Sequence, residues 1–283
     1  MPELPEVETV RRGLAAHVVG RRIEKVEVGR ERTVRRTSRE ALIHGLSGVC
    51  ITRAQRRGKY LLCALDSGET MMIHLRMSGR VLVVERGTKR PPHTHVVLHL
   101  APDKTHGAQE LWFVDPRTFG EVVVFDPARV ATEIPELVRL GVDPIVDYFT
   151  PEVLFELLRL KRGNLKSVLL DQHVVAGIGN IYADEILHLA RLRPSRVPAR
   201  LSKATIARLY RAIISVLGSA IEAGGSTLTD SQYVDLEGAM GNYQQQHRVY
   251  GRGGETCLTC RGGRITRTVV AGRSTCYCPK CQR

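Results

Sequence analysis

Apolar residues recur at Leu4, Val7, Val10, Leu14 and Val18, the spacing of one face of an α-helix, and Gly20 offers a natural stop. Beyond Ile23 the period shortens. Short β-rich runs cover Val49 to Thr52, Tyr60 to Leu65, Met71 to Leu75, Val81 to Val84, Val96 to Leu100, Leu111 to Val114 and Glu121 to Phe125. Turn residues separate them, which predicts a β-sandwich. Ser38 to Leu46 reads as one short helix inserted among these strands. Between Asp126 and Phe149 the strand pattern fades and Pro127, Pro135 and Pro144 punctuate the chain, as in an interdomain connection with a short helix near Glu136 to Leu140. Thr150-Pro151-Glu152 then supplies an N-cap followed by proline at the first helical position, and helices are expected through Ala223. The longest starts near Ser202 and aligns Ile206, Leu209, Ile213, Val216, Leu217 and Ile221 until Gly224 and Gly225 end it. Ser226 to Gln246 is polar, with little periodicity of either kind.

Composition adds a partner to this picture. A chain of 283 residues with 43% hydrophobic content can bury a core and divide into two domains. Its net charge of +13 calls for a polyanion, and nucleic acid is the first candidate, a merely basic protein the alternative. No charged and apolar leader opens the chain and no apolar run approaches membrane-spanning length, so an intracellular protein without a membrane partner is expected.

Five of the seven cysteines lie between Cys257 and Cys281, which suits a metal site in a reducing compartment better than a disulfide framework. Cys257-x-x-Cys260 and Cys278-x-x-Cys281 can enclose one Zn²⁺ tetrahedrally, leaving no open position, so the zinc would be structural. Cys276 is the odd thiol and reads as a spectator, Cys50 and Cys63 as core. His93, His95 and His99 alternate along a run read as strand, but no cysteine or clear carboxylate completes a metal set there. The glycines of Val175-Ala176-Gly177-Ile178-Gly179-Asn180 superficially match a dinucleotide fingerprint. No βαβ unit surrounds them and no acidic residue stands among Arg196 to Arg200, so no nucleotide cofactor is expected. A bare backbone at a helix N-terminus, with Asn180 as an added donor, suits a phosphate instead. Lys161, Arg162 and Lys166 precede it and read on their own as a solvated basic face.

The sharpest chemical candidate is the start, Met1-Pro2-Glu3-Leu4-Pro5-Glu6. Once Met1 is removed, Pro2 is a free secondary amine, partly unprotonated near neutral pH, that can attack a sugar carbon and form a Schiff base. Glu3 stands beside it as proton donor or acceptor. The plainer alternative is that Pro5 opens a helix and the glutamates sit at its positive end.

The chain resembles the formamidopyrimidine-DNA glycosylases, which excise oxidised purines such as 8-oxoguanine. The likeness runs through Met1-Pro2-Glu3-Leu4-Pro5-Glu6-Val7-Glu8-Thr9, Arg57-Gly58-Lys59-Tyr60, His74-Leu75-Arg76-Met77-Ser78-Gly79, Asp115-Pro116-Arg117-Thr118-Phe119-Gly120, Gly177-Ile178-Gly179-Asn180-Ile181-Tyr182-Ala183 and the cysteine-rich end. It implies that Pro2 attacks C1′ of a flipped nucleotide, that Glu3 assists sugar opening, and that Lys59 and Arg273 serve proton transfer and phosphate binding. It implies further that Met77 fills the space of the extruded base, Arg117 faces the orphaned partner base and Phe119 wedges into the stack. His93, supported by His95, together with Lys161, Lys166 and Asn180, would contact DNA. One departure is Thr118, where the family pattern often has a second basic residue.

The implied fold is α+β: an N-terminal β-sandwich with its N-terminal helix (residues 1–130), a linker (131–149), a helix-two-turn-helix bundle (150–225), a lesion-recognition loop (226–246) and a zinc-finger hairpin (247–283). The expected substrate is damaged double-stranded DNA held in the cleft between domains by a monomer, in the cytoplasm or on the nucleoid. An endonuclease VIII-like enzyme for oxidised pyrimidines and a non-catalytic zinc-containing DNA-binding protein are the competing readings.

Overall fold

The first helix forms where the five-residue apolar stripe predicts it. In the computed structural model, which describes residues 1–228 and 233–283, α1 spans Leu4–His17, and Leu4, Val7, Val10, Leu14 and Val18 are each at most 1% exposed. Strands β1 (Ile23–Val28), β2 (Ile51–Arg57), β3 (Tyr60–Leu65), β4 (Thr70–His74), β5 (Arg80–Glu85), β6 (Thr94–Leu100), β7 (Gln109–Val114) and β8 (Glu121–Phe125) follow, with α2 (Arg39–Leu46) inserted after Ser38, whose hydroxyl caps it. They form two antiparallel sheets, ordered β1-β6-β7-β5 and β2-β3-β4-β8. Alternate residues such as Val96, Leu98, Leu111 and Phe113 in one sheet and Leu61, Cys63, Met71 and Ile73 in the other share one core with α1 and α2. The expected sandwich is present.

The polar-looking stretch after α3 (Val130–Glu133) and α4 (Pro135–Val138) begins a second compact unit. The chain divides into Met1–Arg139 with Ala223–Asn242, and Leu140–Glu222 with Tyr243–Arg283. Residues 131–139, expected in a linker, therefore belong to the first unit, where Ile134 is wholly buried. The segment expected as a free lesion loop is split as well. Tyr233 and Leu236 join the sandwich core, and the Val83 N–H donates to the Leu236 carbonyl, because two large apolar residues among polar ones are enough to anchor the segment. Residues 229–232 of that loop lie outside the described residues.

The second unit contains α5 (Pro151–Leu158), capped by the Thr150 hydroxyl as its sequence predicts, then α6 (Leu165–Leu170), α7 (Asn180–Leu189) and α8 (Lys203–Glu222). Gln172 fastens the double turn between α6 and α7: its amide donates to the Leu170 and Ile178 carbonyls, and its oxygen accepts the Gly177 N–H. A helix, not a strand, precedes the glycines. α8 corrects the expectation that no apolar run nears membrane-spanning length, since this 20-residue helix contains an 18-residue window of mean hydropathy 1.3 and meets that test. Its apolar stripe, Ile206, Leu209, Ile213, Leu217 and Ile221, is instead buried within the unit. A hairpin of β9 (Thr266–Val270) and β10 (Arg273–Tyr277) closes the chain.

Candidate nucleic-acid interface and metal centre

Pro2 and Glu3 are both buried at the head of α1. The Glu3 N–H donates to Glu6 Oε2 at 2.7 Å while the Glu3 carboxylate accepts the Glu6 N–H, a reciprocal cap that fixes the first turn. Glu6 Oε1 in turn accepts the Ser226 N–H at 2.7 Å. Tyr233 donates to the Gly224 carbonyl at 3.0 Å, and its phenol is pushed up by burial and by the nearby Glu6 carboxylate. The helix start and the 223–242 segment are thus one bonded assembly.

Lys59 lies in the tight turn between β2 and β3 and is buried. Its support comes from Arg56, whose side chain is wholly buried, paired with Glu8 Oε2 on α1 at 3.1 Å and donating to the Gly58 carbonyl at 2.8 Å. Tyr60 faces His74 across the ladder, ring centroids 4.3 Å apart. Burial, reinforced by the cationic Arg76 and Lys59, holds the His74 imidazole far below its ordinary range, so it is neutral and its Nδ1 accepts the Arg76 N–H.

Met77, His93, Arg117 and Phe119 stand on three loops of the first unit. Met77 and Phe119 are each 37% exposed, so neither is core, and the Arg117 guanidinium lies 4.9 Å from the Phe119 ring centroid. His93 sits in the turn before β6 with φ 68°, exposed rather than alternating with His95 along the strand. His95 is buried and contacts the Asp115 carbonyl through Nε2 at 2.9 Å, whereas His99 pairs with Glu27 and Glu110, so the three histidines do not converge on a metal. Thr118 is buried with φ 53°, and its carbonyl accepts from Arg35 at 2.6 Å.

In the second unit Lys166 requires a correction. Its ammonium is wholly buried, ion-paired with Asp184 at 2.7 Å and bonded to Thr275 Oγ1 at 2.8 Å and the Ser274 carbonyl at 3.0 Å. With three partners it uses its full donor capacity inside the protein, and none is left for a ligand. Asn180 also donates to the Ser274 carbonyl, at 3.0 Å, so both residues brace the strand that begins with the exposed Arg273. Lys161 is half-buried beside α5. Burial lifts the Asp184 carboxyl to about 6 against the pull of Lys166, and its second oxygen accepts the Cys276 N–H at 2.8 Å. Glu185 accepts the consecutive N–H groups of Arg248, Val249 and Tyr250 at 2.8 to 2.9 Å, tying the approach to the finger onto α7.

Cys257, Cys260, Cys278 and Cys281 bring their sulfurs within 4.8 Å of one another, with Cys257–Cys281 at 3.7 Å and Cys260–Cys278 at 3.8 Å. These distances are too long for disulfides and match the edge of a tetrahedron whose centre lies about 2.3 Å from each sulfur, the zinc–thiolate distance. Burial pushes the Cys278 and Cys281 thiols up, whereas the Gly262 N–H pulls the Cys260 thiol down to about 6. A Cβ at Gly263 would lie 2.7 Å from Cys278 Sγ, and only glycine fits against this cradle. Cys276 is buried outside the set.

The sequence-predicted residues therefore fall into an α1 group (Pro2, Glu3, Lys59), a three-loop group (Met77, His93, Arg117, Phe119) and a finger group (Lys166, Asn180, Arg273 and the cysteines). Sequence reasoning missed Glu8, Arg56, Asp115, Asp184 and Glu185, charged residues that act from inside. The available signal was an acid or base at a position that helical or strand periodicity assigns to the buried face.

Residues 1–122 match the formamidopyrimidine-DNA glycosylase N-terminal domain and residues 140–232 the formamidopyrimidine-DNA glycosylase H2TH domain. The chain is 45% identical, over the whole of both sequences, to a formamidopyrimidine-DNA glycosylase of Corynebacterium jeikeium. It is 35% identical to a Lactococcus lactis Fpg solved with Fapy-dG-containing DNA, with TM-score 0.87 over 99% of this chain and 100% of that one. A complex of Lactococcus lactis Fpg with abasic-site DNA gives 35% identity and TM-score 0.89 over 99% of each chain.

Proposed function

Since this chain belongs to the formamidopyrimidine-DNA glycosylase family, we propose that it excises oxidised purines from double-stranded DNA and cleaves the resulting abasic strand, with Pro2 as nucleophile. The observation that carries this reading is the proline at the second position, buried at the head of α1 beside a buried Glu3 and separated from a free amine by one removable residue. The unprotonated Pro2 nitrogen attacks C1′ as the C1′–base bond breaks, the proton shed by the proline nitrogen passing to the base so that it leaves as the neutral purine, and Glu3 protonates O4′ as the ring opens to the iminium. The resulting iminium acidifies C2′, so loss of a C2′ proton expels the 3′-phosphate, and a second elimination expels the 5′-phosphate.

Lys59 and Arg273 assist proton transfer and hold the phosphate. Met77 fills the space the extruded base leaves, Arg117 faces the orphaned partner base and Phe119 wedges into the stack, while His93, Lys161 and Asn180 contact the backbone. In this scheme Lys166 acts from below, fixing the strand that carries Arg273. One Zn²⁺ on the four cysteines would supply closed tetrahedral coordination and no chemistry. Segment 226–246 serves lesion recognition, a role supported by the Ser226 bond to Glu6 at the helix start. The enzyme acts as a monomer, inside the cell where its DNA substrate lies.

Borohydride trapping tests the reading. A duplex containing 8-oxoguanine should be linked covalently to the Pro2 nitrogen of a Met1-processed chain, located by mass spectrometry, and an N-terminal extension should abolish trapping while binding persists. Glu3→Gln should suppress base excision more than trapping on an abasic duplex. Trapping on a lysine with Met1 retained would sink the assignment, and incision of thymine-glycol duplexes in preference to 8-oxoguanine would place the chain with the pyrimidine-specific enzymes.

A further inference from the structure

The three loops that carry Met77, His93, Arg117 and Phe119 converge on one fully buried residue, Asp115, two of them on its carboxylate and the third on its backbone. Its Oδ1 accepts the Ser78 hydroxyl at 2.5 Å, from the Met77 loop, and the Arg117 N–H at 3.2 Å. Its Oδ2 accepts the Gly120 N–H at 2.7 Å, so the carboxylate spans the turn that presents Arg117 and Phe119. The backbone of the same residue holds the third loop, its N–H donating to the His93 carbonyl at 3.0 Å and its carbonyl meeting His95 Nε2 at 2.9 Å.

Each loop also contains a non-glycine residue in the left-handed region: Arg76 at φ 51°, His93 at 68° and Thr118 at 53°. A β-branched or bulky residue adopts that conformation only where its surroundings over-determine it, and such residues gather at functional sites. The space around the carboxylate is closed, since a Cβ at Gly120 would lie 2.6 Å from the Phe113 ring and 3.2 Å from Asp115 Oδ2.

We infer that Asp115 is the positioning residue that locks the Met77, His93 and Arg117–Phe119 loops into one preorganised surface for invading the DNA stack. The inference rests on the glycosylase reading and extends it. Asp115 touches no substrate. Charge-assisted hydrogen bonds from the Ser78 hydroxyl and the Arg117 and Gly120 N–H groups hold two of the tips, and the Asp115 backbone holds the third, so the cost of ordering them is met before DNA arrives.

Asp115→Asn preserves shape but offers one acceptor and a misplaced donor. The Ser78 hydroxyl can turn to accept it, whereas the Arg117 and Gly120 N–H groups cannot both be satisfied. The variant should excise 8-oxoguanine from duplex about ten-fold or more slowly, chiefly in kcat, since a charged hydrogen-bond network is broken. Trapping on a single-stranded abasic oligonucleotide, which has no stack to invade, should stay within about two-fold of the parent.

A double-mutant cycle separates positioning from general support. On a Phe119→Ala background Asp115→Asn should cost little more, whereas multiplicative losses, or equal losses on duplex and single strand, would overturn the inference. Ser78→Ala, which keeps the Arg117 and Gly120 N–H bonds to the carboxylate, should show the same substrate selectivity at smaller size and carries the test should Asp115→Asn fail to fold. Amide hydrogen exchange without DNA distinguishes the two readings. Parent-like protection at Arg117 and Gly120 in Asp115→Asn defeats the positioning role, and absence of Pro2 trapping in the parent defeats only the glycosylase assignment.

Discussion

Arg56 shows what a single buried charge does for the site. Its guanidinium is sealed between Glu8 on α1 and the Gly58 carbonyl, so the turn bearing Lys59 is held to the helix that begins at Pro2. Burial alone would raise the Glu8 carboxyl, but hydrogen bonds and charge from Arg11 and Arg56 outweigh it and the net shift is downward. Glu8→Ala should therefore destabilise the protein by about 3–5 kcal/mol, because it removes one partner of a desolvated, hydrogen-bonded ion pair. Urea unfolding measures this, and a loss below about 1 kcal/mol, the range of an exposed pair, would refute it. Little of this support was legible in the sequence. Lys59 could be singled out by resemblance, whereas Glu8 and Arg56 are 48 positions apart and only the fold brings them together.

At the scale of elements, what was legible is what one-sided burial enforces. α1, β3 and β8 begin or end where the apolar period does, since shifting a strand by one residue would turn every inward side chain to solvent. The tips between strands followed no such rule. In the three that meet at Asp115 the left-handed positions are held by Arg76, His93 and Thr118 rather than glycine, so neither the turn type nor the common anchor could be read in advance. The outer face of the β1-β6-β7 sheet gives a test of cross-strand charge. Glu27 on β1 is bonded to Arg90 and to His99 on β6, and Arg90 and His99 both reach Glu110 on β7. The Arg90 hydrogen bond, with help from His99 and Lys25, outweighs burial and lowers the Glu27 carboxyl to about 2. A depressed folded pKa contributes stability that is fully present above the unfolded value, about 4.3, and is lost as pH falls towards 2. Glu27→Gln should therefore flatten the acid limb of the stability curve between about pH 4 and 2 while costing most above pH 5. Parallel limbs for variant and parent in denaturant titrations would remove the network from the account.

For the molecule as a whole, the net charge of +13 predicts binding to undamaged duplex that weakens steeply with salt, and a log–log slope near zero would contradict a phosphate-based interface. The metal has a narrower effect, because the two compact units have separate cores. Among the described residues the apolar cluster around the four cysteines adds just Val249, Ile265 and Cys276, a small core for the β9–β10 hairpin, whereas the sandwich has a large core of its own. Trp112, the single tryptophan, is 2% exposed in the sandwich sheet and reports on that unit alone. Removing zinc with a chelator, or Cys257→Ser, should abolish damage-specific binding and expose amides of Thr266–Tyr277 to exchange, because Arg273 is no longer held at the hairpin turn. Trp112 emission should stay blue-shifted throughout. A red shift on chelation would mean that the sandwich depends on the metal, and retained damage-specific binding by zinc-free protein would mean that Lys166 and Asn180 suffice to place Arg273 through the Ser274 carbonyl.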